Sequence, residues 1–228
     1  MKASIVVYIF ISVVILSVPL YFMKGAIACE MTDVFGYTEI QADVFISKNS
    51  LKSEEDLLFL EIGRQRVNAV FGPTIAEPKV ILADSESESN RFFATATATS
   101  HFSPFNNCLV LGPKGQNIDV AAHELVHAEI YERLGWLVQI VKMPRWFEEG
   151  VSLLVDWREP FLPSNIDIDE AELINVKELF YGHQFYTQDV FVHYQASRLA
   201  VESLDKKAFY DNLEKLKNGS DFDDVFEM

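Results

Sequence analysis

The sequence predicts an α+β fold in which a small mixed sheet lies beside one central helix and a helical part follows. Short apolar runs typical of strands, at residues 79–82 and 108–111, come before a helical pattern that runs from Asp119 to Leu134. After Pro160 the helical pattern recurs three times, at residues 169–180, 188–204 and 206–216. Strands and helices that are segregated along the chain in this way are typical of α+β folds.

Length and charge limit the classes of protein to which the chain can belong. Its 228 residues, of which 49% are hydrophobic, are enough to bury one sizeable core, so residues 29–228 are predicted to form a single domain. The formal net charge is −15. Because such a surface repels phosphate backbones, we expect no nucleic-acid partner.

The first 28 residues are predicted to be a targeting segment. Residues Ala3 to Met23 are almost entirely apolar, and Ala26-Ile27-Ala28 fits the A-x-A pattern of a signal-peptide cleavage site. A run of this length can also span a bilayer without being cleaved. The segment is therefore either a secretory signal or a membrane anchor, and Lys24 close to the cleavage pattern favours the anchor. Both alternatives predict an exported protein that is membrane-anchored, periplasmic or extracellular.

Two cysteines, Cys29 and Cys108, leave three alternatives open. In an oxidising compartment they can pair with each other. Cys29 also resembles the lipid-bearing cysteine of a bacterial lipoprotein signal, although Ala26 stands where that signal usually has leucine. The third alternative is two unreacted thiols. Neither cysteine belongs to a C-x-x-C pair, so neither is predicted to bind zinc.

The first half of the domain is predicted to supply one helix and the sheet. A capping box at Ser53–Asp56 begins a helix that ends at Gly72-Pro73. Residues 83–90 are expected to form a polar loop, and residues 93–99, in which Ala and Thr alternate, a strand. We expect the strand at residues 108–111 to form the sheet edge beside a cleft, where it can hold an extended peptide by main-chain pairing.

The central helix carries the motif His123-Glu124-Leu125-Val126-His127, which has the pattern HExxH. Positions four apart lie on the same face of a helix, so both imidazoles can reach one metal ion. Glu124 lies off that face, where a general base for a metal-bound water should be. The alternative is a surface helix with two hydrogen-bonded histidines. Asn117 or Asp119 can cap the start of this helix, and Gly135 stands where a helix commonly ends.

The segment after the central helix carries a family resemblance. HExxH followed by Trp146-Phe147-Glu148-Glu149-Gly150, a W-x-x-E-G block, resembles the gluzincin zinc peptidases, the peptidase MA-like group that includes thermolysin-like enzymes. The resemblance implies a thermolysin-like zincin domain and makes Glu149 the third zinc ligand. Glu148 then remains an ordinary exposed or salt-bridged acid. The zincins with HExxHxxGxxH are excluded, because Ile130 and Arg133 stand where that pattern needs glycine and histidine.

Two roles in such a site are harder to assign. An acid four residues beyond the glutamate ligand orients a histidine in thermolysin-like enzymes, but that position is Leu153. Asp156 lies about 10 Å further along a helix predicted to span Trp146 to Trp157, too far to take this role unless the helix bends. The resemblance also implies a Tyr or His that stabilises the oxyanion. The prediction is Tyr194, and the other candidates are His183, Tyr186 and His193.

The sequence thus predicts a zinc-dependent metallopeptidase. His123, His127 and Glu149 are expected to bind Zn²⁺, and Glu124 to act as general base for a metal-activated water that attacks a peptide or protein substrate. One alternative is a non-catalytic, membrane-tethered module that binds zinc with the same fold. Another is a zinc hydrolase that acts on a non-peptide amide.

Overall fold

The structure, a computed structural model, describes residues 23–227. Most of the predicted targeting segment therefore lies outside the described residues. The strands are β1 (Tyr37–Gln41), β2 (Val44–Ser47), β3 (Lys79–Leu82), β4 (Ala98–Phe102) and β5 (Asn107–Leu111). The helices are α1 (Lys24–Glu30), α2 (Leu58–Phe71), α3 (Glu86–Arg91), α4 (Ile118–Leu134), α5 (Trp136–Lys142), α6 (Arg145–Ser152), α7 (Glu170–Val176), α8 (Gly182–Phe185), α9 (Val190–Ala200), α10 (Phe209–Lys217) and α11 (Phe222–Phe226). Short 3₁₀ helices span Glu54–Leu57, Glu159–Phe161 and Pro163–Asn165.

The five strands form one mixed sheet in the order β1-β2-β3-β5-β4. β2, β3 and β5 run parallel to one another, whereas β1 and β4 pair antiparallel at the two edges. The predicted α+β class with a small mixed sheet is confirmed. The prediction that residues 108–111 form the edge is wrong, because β5 pairs with β3 on one side and with β4 on the other. The edge strand on that side of the sheet is β4.

Two predictions for the segment between β3 and β5 are also wrong, because side-chain hydrogen bonds form a short helix and a turn there. Residues 83–90 are not only a loop, because the Ser85 hydroxyl accepts a hydrogen bond from the Glu88 amide and caps the short helix α3. The strand expected at residues 93–99 begins only at Ala98. Before it, the Thr95 hydroxyl accepts hydrogen bonds from the amides of Thr97 and Ala98, which makes a turn there.

Helix α4 lies at the centre of the fold, begins at Ile118, one residue before the predicted start, and ends at Leu134 as predicted. The Asn117 side chain accepts a hydrogen bond from the Val120 amide at 3.1 Å, and Gly135 ends the helix with φ of 77°. The helix packs against α2, α6 and α10 and against strands β4 and β5. It is buried over most of its length, which excludes the alternative of a surface helix for the HExxH motif.

The sheet separates two hydrophobic cores. Alternate strand residues such as Leu109 and Leu111 face α4 in the larger core, and Ile81 and Val110 face a smaller core on the other side. In the C-terminal part the predicted helices at 169–180, 188–204 and 206–216 are present but shorter, as α7, α9 and α10.

Helix α1 is joined to the sheet by a disulfide between Cys29 and Cys108. Of the three alternatives for the cysteines, the structure therefore selects pairing, and lipidation of Cys29 is excluded because its sulfur is bonded. The predicted boundary after Ala28 stays a prediction, and it falls inside α1, where Ala26 and Ala28 are buried. No helix within residues 23–227 is long and apolar enough to cross a bilayer.

Candidate metal centre

Helices α4 and α6 bring three potential ligand atoms together. The Nε2 atoms of His123 and His127 are 3.2 Å apart, and Glu149 Oε2 lies 3.3 Å from the first and 3.4 Å from the second. All three side chains are buried, with residue exposures of 6%, 4% and 2%. The two histidines are one turn apart on α4, and α6 crosses this helix so that Glu149 faces both rings. These three residues form a group that could hold a metal ion.

The dimensions of this group fit a tetrahedral ion. An ion bound at about 2.0–2.1 Å from nitrogen and oxygen ligands in tetrahedral geometry holds its ligand atoms roughly 3.3–3.4 Å apart, close to the observed triangle. Glu149 Oε2 is buried and has no hydrogen-bond partner among residues 23–227. A buried carboxylate oxygen in this position needs a cation beside it, which is either a protonated imidazole or a bound metal ion.

The charge of the groups around the two imidazoles is also compatible with a bound divalent cation. Four carboxylates and two guanidinium groups lie around the rings. When both imidazoles are neutral, the cluster therefore carries two negative charges, which a divalent cation balances. The carboxylates belong to Glu124, Glu148, Glu149 and Asp156, and the guanidinium groups to Arg145 and Arg158.

Glu148 orients the second histidine. Its Oε1 lies 2.9 Å from His127 Nδ1 and accepts a hydrogen bond from Gln139 Nε2, while Oε2 pairs with Arg145 at 2.9 Å. With Nδ1 donating to this carboxylate, Nε2 is left as the metal-binding nitrogen. The prediction of an exposed acid is wrong, since Glu148 is 1% exposed, and the alternative of a salt-bridged acid is correct but incomplete.

Asp156 takes the corresponding place beside the first histidine. Its Oδ2 lies 3.5 Å from His123 Nδ1, and Arg158 holds the same carboxylate. The prediction that Asp156 is out of reach assumed a continuous helix to Trp157. Helix α6 instead ends at Ser152, and the chain then turns back toward α4. Asp156 is therefore a partner that the helical pattern alone places too far away.

Burial and the neighbouring charges shift the pKa values of this cluster in opposite directions. Burial disfavours the charged form of His127, but Glu149 and Glu148 outweigh it and raise its pKa to about 10. Burial also acts against ionised Glu149, yet the two histidines hold its pKa well below the ordinary value. The carboxylates are thus ionised and attract positive charge, so a metal ion would have to displace protons from the imidazoles.

The three-residue group lies at the bottom of an open cleft of about 750 Å³. Glu124 faces this cleft beside the group and accepts a hydrogen bond from the Ser100 hydroxyl on edge strand β4. One wall of the cleft is β4, and the opposite wall comes from the segment after α6, from Tyr186 after α8 and from α9. Side chains from these walls include Thr97, Thr99, Phe102, Arg158, Phe161 and Phe191.

Two of the four aromatic candidates for the oxyanion role reach the cleft. Tyr194 and Tyr186 both line it, and Tyr186 donates a hydrogen bond to Glu149 Oε1. His193 instead contacts the Phe185 carbonyl through Nδ1, and His183 stacks on Tyr181. Sequence reasoning also missed Ser100, Arg145 and Arg158, none of which belongs to a recognisable motif.

Comparison of the chain with models of known protein families, with curated proteins and with solved structures found no match. What can be said of its function therefore follows from the residues of this chain and their arrangement.

Proposed function

We propose that this protein is a zinc-dependent metallopeptidase of the gluzincin type with a thermolysin-like arrangement of its site. The observation that carries the proposal is the triangle of His123, His127 and Glu149 ligand atoms, 3.2–3.4 Å on a side, with Glu124 beside it in an open cleft. The HExxH and W-x-x-E-G motifs supply these four residues on two crossing helices.

Zinc is the metal that this ligand set favours. Two imidazole nitrogens and one carboxylate oxygen are the ligands of many catalytic zinc sites, which keep the fourth position for water or substrate. Structural zinc sites commonly have four protein ligands. Among residues 23–227 the group contains three, and it opens into the cleft, which favours an enzyme over a non-catalytic module.

When bound, zinc would lower the pKa of a water molecule and polarise the carbonyl of the scissile peptide bond. Glu124 is positioned to accept the proton of the attacking water and to deliver it to the leaving amine. The Ser100 hydroxyl holds one carboxylate oxygen of Glu124 and so fixes its orientation. Glu148 accepts a hydrogen bond from His127 Nδ1, and the Asp156 carboxylate lies 3.5 Å from His123 Nδ1, so the Nε2 atoms of both histidines are left for the metal position.

Tyr194 is the proposed donor to the oxyanion. Burial raises the pKa of Tyr194, and the nearby charge of Glu149 raises it further, so its hydroxyl stays protonated and able to donate. Tyr186 is already hydrogen-bonded to Glu149, so we assign it to holding that ligand.

We propose that the substrate lies along β4 and not along β5. β4 is the edge strand, and its residues Ala98, Thr99, Ser100 and Phe102 line the cleft. Main-chain pairing with this edge would place an extended peptide between the strand and the zinc site. The disulfide further supports an exported location, because such bonds persist in oxidising compartments.

The test is zinc content and peptide-library cleavage on the wild type, on Glu124→Gln and on Glu149→Ala. We expect one zinc per wild-type chain. Glu124→Gln should keep the metal and lose roughly 10²–10⁴-fold in hydrolysis, because the general base is removed. Glu149→Ala should lose both metal and activity. Glu132→Gln, an exposed acid on the same helix, is the matched control and should behave like the wild type.

Two results would contradict the proposal. Stoichiometric zinc without cleavage of any library peptide would favour the non-catalytic module or a hydrolase of other amides. Undiminished cleavage by Glu124→Gln would remove that residue from the mechanism.

A further inference from the structure

Helix α1 is fixed against the folded domain, with no linker between it and the apolar run that ends at Met23. The helix begins at Lys24, and Ala26 and Ala28 are buried. Gly25 packs so closely on His101 of β4 that a Cβ atom at residue 25 would collide with the imidazole. If the preceding apolar run enters a bilayer, the domain is therefore held directly at its surface and in a restricted orientation.

Several large apolar side chains are exposed in the segments around α1. Three local contacts bring separate parts of the chain next to the helix. The Lys24 ammonium lies 4.7 Å from the ring centre of Phe93, and Asn106 donates to the Ala26 carbonyl. Ala26 also lines a small cavity of about 310 Å³ together with Ile140 of α5. The exposed side chains of this region, called here the apolar face, are Ile27, Phe93, Phe105, Leu137, Ile140 and Tyr181.

These side chains are well exposed for their size. Phe105 is 88% exposed, Leu137 is 64% exposed and Ile140 is 49% exposed. A set of large apolar side chains gathered on one surface marks an interaction site more often than scattered ones do.

Acidic residues are few in the same region. The chain has 34 Asp and Glu residues, yet the segments 23–29, 91–118 and 133–147 contain none. These three segments supply α1 up to Cys29, the loop and strands beside it, and α5, and they carry basic residues that include Lys24 and Lys142. The acid at this surface is Glu30, the last residue of α1, which is paired with Lys79. In a chain with net charge −15, a region with few acids is the part of the surface that an anionic headgroup layer repels least.

We propose that the apolar face lies on the bilayer that residues 3–23 are predicted to enter, with its aromatic and aliphatic side chains at the headgroup level. Residues 1–28 are then a retained membrane anchor and not a cleaved signal, because cleavage after Ala28 would remove most of a helix that is packed into the domain. Phe93 belongs both to the apolar face and to the wall of the catalytic cleft. The cleft would then open beside the membrane, toward substrates that are exposed at the bilayer surface.

The test uses the full chain in nanodiscs of phosphatidylcholine with one-fifth phosphatidylglycerol and a nitroxide lipid that quenches tryptophan at short range. Trp136 begins α5 and lines the cavity of Ala26, Ile140 and Tyr181 next to the apolar face, whereas Trp157 stacks against Arg66, and Trp146 is buried. Trp157→Phe keeps Trp136 and should be quenched several-fold more than Trp136→Phe, which keeps Trp157. Equal quenching of the two variants would overturn the proposed orientation.

A second pair of variants tests the side chains themselves. The double change Leu137→Gln with Ile140→Gln, made in the Trp157→Phe background, should reduce the quenching. The matched control, Leu51→Gln with Leu58→Gln, changes two exposed leucines that lie outside the apolar face and should leave it unchanged. Quenching that is insensitive to the first pair would contradict the proposal.

Two other measurements can also overturn it. If the mass of the purified chain shows that residues 1–28 are missing, the proposal is contradicted, because the anchor is absent. A dimer mass together with absent quenching would assign the apolar face to a second copy of the chain. Quenching needs no turnover, so it is also measured on Glu124→Gln. If the peptidase proposal fails, the quenching result therefore still tests the membrane orientation.

Discussion

Helix α4 carries two buried clusters of charged groups, and they differ in one respect. In the first, Glu149 meets His123 and His127, and one of its carboxylate oxygens has no hydrogen-bond partner among the described residues. In the second, two residues beyond His127, the fully buried Glu129 accepts hydrogen bonds from two backbone amides at 2.7 Å and pairs with Arg133 at 3.0 Å.

Glu129 is a structural carboxylate, whereas Glu149 belongs to a group that could hold a ligand. Glu129 has its bonds supplied by the loop at Ile75 and Ala76, so it needs no further partner. Glu149 opens into a cleft and lacks such a partner for Oε2. Burial alone therefore does not distinguish the two acids, whereas the incomplete set of hydrogen bonds does, and it marks Glu149 as a member of a group that could hold a metal ion.

The largest effect on stability is expected from Glu129→Ala. The change leaves two backbone amides and the Arg133 guanidinium without their partner, which should cost about 3–5 kcal/mol in the free energy of unfolding. Urea unfolding of the variant and of Glu132→Ala, an exposed acid on the same helix, measures the difference. Zinc content of the folded variant should remain one per chain. A large loss of zinc without a loss of stability would remove the distinction between the two clusters.

A smaller free-energy change is expected from Tyr194→Phe, which tests the open cluster. Losing a single oxyanion donor should reduce kcat by roughly 10²–10³-fold and leave KM and zinc content nearly unchanged. Tyr186→Phe is the matched comparison and should weaken zinc binding, because its hydroxyl donates to Glu149. If kcat falls in Tyr186→Phe and not in Tyr194→Phe, Tyr186 is the oxyanion donor and the assignment of Tyr194 is wrong.

Glu148→Gln is expected to weaken zinc binding by roughly 10–100-fold, because the neutral amide is a poorer acceptor for His127 Nδ1. Competition with a zinc-binding dye measures the affinity. Asp156→Asn should act in the same range through His123. Unchanged affinity in both variants would mean that the imidazoles are held by packing alone.

The smallest effect is expected from Glu30→Gln at the surface of α1. The hydrogen bond from Asn106 and the nearby Lys79 lower the pKa of Glu30 in the folded state. A lowered folded pKa adds stability above the unfolded value of 4.5 and loses it as the pH falls through the folded value. Solvent screening limits this to about 0.5 kcal/mol. Urea unfolding should separate variant and wild type at pH 7 and bring them together in acid, once Glu30 is protonated in the folded state, and a difference that persists there would contradict the assignment.

Local sequence patterns were sufficient for the helix that carries the site. The alternative caps Asn117 and Asp119 and the terminal Gly135 predict both ends of α4, because capping and termination depend on residues within one turn, and the structure selects Asn117. The spacing of His123 and His127 predicts a shared ligand face for the same reason. Glu149 required a family resemblance, since a helical pattern cannot choose between two adjacent glutamates.

What the sequence by itself determined is thus the central helix, its two histidines and the α+β class, all of which follow from spacing along the chain. Tertiary structure decided the rest. It made β4 the edge strand, paired Cys29 with Cys108, and brought Asp156 back to His123 after α6 ends at Ser152. Each of these depends on contacts between distant segments, which packing of the whole chain selects and local periodicity does not encode.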